Sequence, residues 1–389
     1  MRKSAYFVLA FPFLGCRAPH DTHVDAQPVS QSREAHEMGE LAATSSSAAG
    51  GSEEPKEAGA PTNAPPGPLY YGRFDHSDKK GVRFAWSAST ITFRFRGTGL
   101  NARFKDTGFN WFDLMVDGRT MPPFGSGATK DIFNLAHGLP EGIHTVTITK
   151  RSEARVGTVQ LLGVDVEGGV LLSPPPPATH RIEFIGDSIT AGYGNEGPNA
   201  GCPFTPREEN ANQTYAAMVA RDLKADHTNI SWSGKTIREM TTLWERTLPE
   251  DQKSVWNHTQ LIPDAVLINL GTNDFYFRDP GQRVLTANML NLISKVRAKY
   301  PNVWIFWVLG PMLTDAYPAG EQHLTLARDH MKNALDTLRD AGGGDRIVFV
   351  EVPTEDPTTG LGCRSHPNIS THRQVADKLV PIIKEHTGW

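Results

Sequence analysis

The stretch Arg181-Ile-Glu-Phe-Ile-Gly-Asp-Ser-Ile-Thr-Ala-Gly-Tyr193 decides how this chain is read. An apolar run with strand character leads into Gly186-Asp187-Ser188, and small residues follow. A hydroxyl at the end of a buried strand faces a cleft while a rigid sheet holds it, as a serine nucleophile requires. Thr190 stands where the second glycine of a Gly-x-Ser-x-Gly elbow would be, so this is not the turn of an α/β-hydrolase. The partners of Ser188 must come from elsewhere in the chain.

Downstream, continuous apolar runs rich in β-branched and aromatic residues recur at 182–185, 265–270, 303–309 and 347–350. Amphipathic helical patterns lie between them: Leu285, Met289, Leu292, Ile293 and Val296; Leu324, Ala327, Met331, Ala334, Leu335 and Leu338; and finally Val375, Leu379, Ile382 and Ile383. Buried strands alternating with helices predict an α/β domain, a parallel sheet in three α/β/α layers, over 180–389. Its ligand crevice should lie beyond the carboxyl ends of the strands. Polar clusters stand there: Ser188 after the first strand, Ser233-Gly234-Lys235 after a second at 229–232, and Gly271-Thr272-Asn273-Asp274 after the third. Cys363-Arg364-Ser365-His366-Pro367 follows the last strand.

Upstream the periodicity is two. Ile91, Phe93 and Phe95 alternate with threonines and arginines, as do Leu100, Ala102 and Phe104 with polar residues, and Phe112, Leu114 and Val116 stop at Asp117-Gly118. Short alternating strands with Gly and Asp turns predict an all-β sandwich over 68–172. Four prolines at 174–177 suggest a stiff linker, with the domain boundary at 173–179.

At the start, Arg2 and Lys3 precede an apolar run ending in Leu14-Gly15-Cys16, which reads as an export signal over 1–16. Its end resembles a bacterial lipobox, with lipid on Cys16, although Phe13 departs from that pattern; an ordinary cleaved signal is the alternative. Residues 17–67, rich in Ala, Ser, Gly, Glu and Pro, are expected to be a disordered tether. The chain is thus expected at the cell envelope or outside the cell, with a lipid tether to the membrane as one outcome.

The 389 residues carry 39 basic and 43 acidic side chains and no basic run able to track a phosphate backbone, which argues against nucleic acid as a partner. No histidine or cysteine cluster has metal-site spacing and no phosphate loop occurs, so no cofactor and no metal are expected.

The order Ser188, Gly234, Asn273, His366, each opening its own block, resembles the SGNH hydrolase superfamily, the GDSL esterases. Gly72-Arg-Phe-Asp75, Phe84-Ala-Trp-Ser87, Leu139-Pro-Glu-Gly-Ile-His-Thr145, Lys150-Arg-Ser-Glu153 and Cys202-Pro-Phe-Thr-Pro206 look like carbohydrate esterase family 2, whose N-terminal domain is a jelly roll. That resemblance implies a serine esterase removing acetyl groups from plant cell-wall polysaccharides such as xylan and glucomannan. Ser188 would be the nucleophile and His366 the base. The N–H groups of Ser188 and Gly234 and the Asn273 side chain would form the oxyanion hole.

The usual aspartate three residues before the histidine is replaced by Cys363, and position 364, often aspartate in the narrower family, is Arg364. A Ser188–His366 dyad, its imidazole held by a main-chain carbonyl, is therefore expected; a carboxylate from Asp356 or Glu355 is the alternative. Cys202 and Cys363, both near the site, are expected to form a disulfide, with two free thiols as the alternative. Trp86 and Trp111 are expected in the sandwich core, and Trp304 and Trp307 in a buried strand. Trp232 and Trp244 are the candidates for a sugar-stacking platform. Two other functions remain open: a general, lipase-like esterase, and a carbohydrate-binding protein with a decayed site.

Overall fold

A computed structural model describes residues 65–127 and 131–389. The export signal, Cys16 and all but the last three residues of the expected tether lie outside the described residues.

Two antiparallel sheets form a jelly-roll sandwich. One orders its strands Leu69–Tyr71, Thr90–Gly97, Gly142–Lys150, Asn110–Val116 and Arg119–Ser126; the other runs Phe74–Asp75, Val82–Phe84, Val159–Glu167, Gly99–Asp106 and Ile132–Ala136. Alternation does what a pleated strand requires: Ile91, Phe93 and Phe95 are buried between the sheets with Phe104, Phe112 and Val146. On the other face Thr90 and Thr92 pair through their hydroxyls with Thr149 and Thr147, at 3.1 and 3.0 Å.

The second part is a five-stranded parallel sheet ordered Ala225–Ser231, His180–Gly186, Ala265–Asn269, Trp304–Leu309 and Ile347–Glu351. Gln282–Lys299 and His323–Asp340 pack on one face; Tyr215–Asp222 and Ile369–Thr387 pack on the other. Ala265–Asn269 is buried at every position, which explains why the sequence is apolar from Ala265 to Ile268.

Residues 173–178 carry no helix or strand, but they do not space the two parts apart. The sandwich and the parallel sheet belong to one compact unit. Trp86 and Ala154 of the sandwich enter the same apolar cluster as Ile185, Ile230 and Trp307. Arg73, fully buried, ion-pairs with Glu183 on the first parallel strand at 3.2 Å and donates to the carbonyl groups of Trp244 and Arg246. Removing one member of such a buried pair strands the other charge, at a cost of about 3–5 kcal/mol. Sequence reasoning assigned these arginine and glutamate residues no role, because hydropathy cannot see a buried pair. The segment 150–153 follows the same rule: Lys150, Arg151, Ser152 and Glu153 are all buried. Arg151 reaches Asp113 at 3.0 Å, and it also ion-pairs with Glu196 of the loop after Ser188.

Candidate active site

Strand His180–Gly186 ends at Asp187, whose carboxylate caps the short helix Ser188–Ala191 by accepting the Ile189 N–H at 3.0 Å. Asp187 does the capping, so the Ser188 hydroxyl is left for another partner. His366 Nε2 lies 2.9 Å from Ser188 Oγ. His366 Nδ1 lies 3.0 Å from the Arg364 carbonyl, which can only accept. Nδ1 therefore carries the imidazole proton, and Nε2 is free to take the one on Ser188.

No carboxylate among the described residues takes part. Asp356 is engaged by Thr358 and Thr359, and Glu355 is a separate, partly buried carboxyl that burial raises to about 8. Of the two expected ways of holding the imidazole, the structure has the main-chain carbonyl.

The loop bearing His366 is bent hard. Arg364 and Ser365 both adopt left-handed conformations, φ 56° and 54°. Such residues cost on the order of 1–3 kcal/mol each and persist only when the surroundings fix them. Here Cys363 is bonded to Cys202. The Cys363 N–H donates to the Gly194 carbonyl at 2.9 Å, and those of Arg364 and Ser365 to Cys202 and Ala200 at 3.3 and 3.2 Å. A Cβ on Gly197 would fall 2.3 Å from Cys363 Sγ, so only glycine lets the two loops close on each other.

Beside Ser188 Oγ, where an oxyanion would form, Ser188 N–H and Gly234 N–H have no acceptor among the described residues. Gly234 has φ +77° and faces open space. Asn273 is also there, but its amide nitrogen already donates to Asp187 Oδ2 and to the Lys235 carbonyl, both at 3.1 Å. Burial, with Asp274 and Glu153 nearby, raises Asp187 to about 7.

Burial lowers His366 to about 4, and the positive Arg155 adds to this. A neutral carbonyl behind Nδ1 offers the imidazolium less than a carboxylate would. The rate of any reaction using His366 as base should therefore be level down to about pH 5 and fall as the pH drops through about 4. A kcat/KM profile titrating at or above the ordinary histidine value of about 6.5 would contradict this assignment. The same shift has a stability sign: an unfolded chain takes up protons below about pH 6.5 that the folded one refuses, so stability declines as pH falls from there.

The expected sugar platform needs correcting. Trp244 is 0% exposed, and its Nε1 donates to Glu183 Oε1 at 2.6 Å, so it is a core residue. Trp232 is half-buried against that core, with the Lys235 ammonium 5.6 Å from its ring centre. Trp111 is only half-buried, under the Arg207 guanidinium, while Trp86 and Trp307 are buried and Trp304 partly so. The exposed aromatic residues at the site are Tyr276 and Phe277, 70% and 88% exposed. They line a cleft of about 800 Å3 with Gly234, Thr236 and Asn273. Sequence reasoning passed over them, although Phe275-Tyr276-Phe277 directly follows Asn273-Asp274. It also missed Tyr193, whose ring centre lies 4.4 Å from that of His366 and 4.0 Å from that of Phe204.

Residues 70–176 match the family model described as Carbohydrate esterase 2 N-terminal, and residues 184–374 that of the GDSL-like Lipase/Acylhydrolase family. The chain is 40% identical over 333 residues to the cellulase/esterase CelE of Acetivibrio thermocellus, a match covering 83% of this chain and only 40% of that protein's length. It is 24% identical over 330 residues to an acetylxylan esterase / glucomannan deacetylase of Cellvibrio japonicus, covering 82% of this chain and 88% of the relative. The solved structure of a family two carbohydrate esterase from Clostridium thermocellum, in complex with cellohexaose, aligns with a TM-score of 0.79. That protein is 40% identical, and the alignment covers 83% of this chain and 100% of the other. The chain belongs to carbohydrate esterase family 2, a family of carboxylic ester hydrolases.

Proposed function

We propose that this protein removes O-acetyl groups from plant cell-wall polysaccharides, xylan and glucomannan, through an acetyl-Ser188 intermediate. The observation that carries the reading is the short contact from His366 Nε2 to Ser188 Oγ, with the proton on Nδ1 fixed by the Arg364 carbonyl. Ser188 Oγ attacks the acetyl carbonyl carbon as its proton passes to Nε2. The N–H groups of Ser188 and Gly234 receive the negative oxygen. Collapse breaks the ester bond, and the sugar oxygen leaves with the proton from Nε2. Water then attacks the acetyl-enzyme, gives a proton to His366, and frees acetate and Ser188.

An open cleft lined by the exposed Tyr276 and Phe277 suits a polysaccharide, whose sugar rings lie on aromatic faces. The printed name of the Cellvibrio japonicus relative supports the choice of xylan and glucomannan. Export with lipid on Cys16 belongs to the same proposal, supported by the charged and apolar run that precedes it.

The test is acetate release from acetylated xylan and glucomannan, compared with hydrolysis of long-chain aryl esters, using the full chain expressed in a bacterium. Acetate release faster than long-chain hydrolysis, in the membrane fraction and set free by Cys16→Ala, is expected. Preference for long acyl chains would favour a lipase-like esterase. Polysaccharide binding without turnover would favour a decayed site. Soluble activity before substitution would remove the lipid tether.

A further inference from the structure

The segment Lys150-Arg-Ser-Glu153 belongs to the sandwich, yet its last residue reaches the catalytic loops. The loop after strand Ala225–Ser231 must present the Gly234 N–H to the oxyanion, and its main chain is fixed on both sides of that group. Trp232 N–H donates to the Gly186 carbonyl at 3.3 Å, and the Lys235 carbonyl accepts from Asn273. Ser233 N–H, immediately before Gly234, donates to Glu153 Oε2 at 2.6 Å. Of these three ties, the one to Glu153 alone comes from the sandwich.

The other carboxylate oxygen, Oε1, accepts from Arg155 Nε. The Arg155 guanidinium lies 5.3 Å from the Tyr193 ring centre and 4.7 Å from that of Phe204. Tyr193 in turn backs the His366 ring. One carboxylate therefore ties the oxyanion loop with one oxygen and, through Arg155, the aromatic wall behind the base with the other.

Glu153 itself is held rigidly. It is 0% exposed, its N–H donates to Glu209 Oε2 at 2.8 Å, and its carbonyl accepts from the buried Lys150 Nζ at 3.1 Å. Burying three ionisable side chains beside a site carries a cost, and a fixed carboxylate aimed at one main-chain N–H is what it secures. We infer that Glu153 is a positioning residue for the esterase reaction, by which the sandwich domain sets the oxyanion loop of the catalytic domain.

This rests on the proposed use of Ser188 and Gly234, and the experiment separates the two. Glu153→Gln keeps the reach and an acceptor for Ser233 N–H but loses the charge and the second acceptor, so its NH2 faces Arg155 Nε. Glu153→Asp keeps the charge but shortens the reach by one methylene. A main-chain donor displaced by about 1 Å costs on the order of 10²-fold in rate. Glu153→Asp is accordingly expected to lower kcat by that factor with KM little changed, and Glu153→Gln, which keeps the tie to Ser233 N–H and loses the one to Arg155, to lower it clearly less.

An arylboronic acid, which forms a tetrahedral adduct with a serine, should lose affinity for Glu153→Asp in parallel with kcat. Thermal melting of each variant shows that it is folded. Equal kcat for the two folded variants, or Gln worse than Asp, overturns the inference, because the charge and not the position would then matter. So does a fall in kcat with unchanged boronate affinity. If Ser188→Ala retains full activity, the functional reading fails; if it abolishes activity while the Glu153 variants match wild type, only the role of Glu153 fails.

Discussion

Replacing Ser188 by alanine is expected to lower kcat for acetate release by roughly 10⁴ to 10⁶-fold, the range seen when a serine nucleophile is deleted from an acyl-transfer site. The side chain is small and 6% exposed, and its only partner among the described residues is His366, so little else should change. The lost hydrogen bond is worth about 1 kcal/mol, and the melting temperature should stay close to that of the wild type. Ser188 N–H belongs to the main chain and survives, so residual rate above water reflects the oxyanion donors alone. Steady-state kinetics on an acetylated oligosaccharide checks the claim. Retention of a tenth of the wild-type rate would be incompatible with Ser188 as nucleophile.

Cys202→Ser is expected to weaken both the fold and the catalyst. The bridge to Cys363 joins residues 161 positions apart, and a cross-link over that span is worth about 5 kcal/mol by loop entropy. Its catalytic effect comes through Arg364 and Ser365, whose left-handed backbone turns the Arg364 carbonyl onto His366 Nδ1. Three main-chain hydrogen bonds to Gly194, Ala200 and Cys202 remain when the bridge is cut, so the loop should loosen rather than unfold. A fall in kcat of roughly 10- to 10²-fold, with KM changed less, is the expected result. Mild reduction of the wild type should have the same effect and reoxidation should reverse it. Full kcat in the reduced, folded protein would show that the main-chain bonds alone hold His366. The bridge needs an oxidising compartment to form, which agrees with the charged and apolar N-terminal run.

Much of this was legible in the sequence, for identifiable reasons. The parallel strands announce themselves because both faces are buried, and Ala265-Val-Leu-Ile268 leaves no polar position to interrupt the run. Helix Tyr215–Asp222 was not seen: it is only eight residues long, and three of its six buried residues are alanine, so few large apolar side chains mark its inner face. Helix Ile237–Leu243 did carry a sign, the capping box formed by Thr236 and Glu239. Overlooking it also misplaced Trp244, which that helix turns inward onto Glu183.

The order Ser188, Gly234, Asn273 and His366 placed the polar clusters at the strand ends, and the structure gathers all four residues there. What holds His366 was harder to read, because a carbonyl turned by two left-handed residues has no side-chain signature. Glu153 lay in a stretch that carried the family resemblance, but its task was invisible for a related reason. A charged residue 0% exposed looks in sequence like one on the surface, and only the close packing of sandwich on sheet gives it a task.

The most direct measurement is the covalent state of Ser188 during turnover. Rapid acid quench with an activated acetyl ester, followed by peptide mass spectrometry, should find one acetyl group on the peptide bearing Ser188, and none in Ser188→Ala. Burst release of one equivalent of leaving group should accompany it. Steady acetate production with no acetyl group on Ser188 at any quench time, or with the acetyl group on another residue, would contradict the Ser188–His366 mechanism.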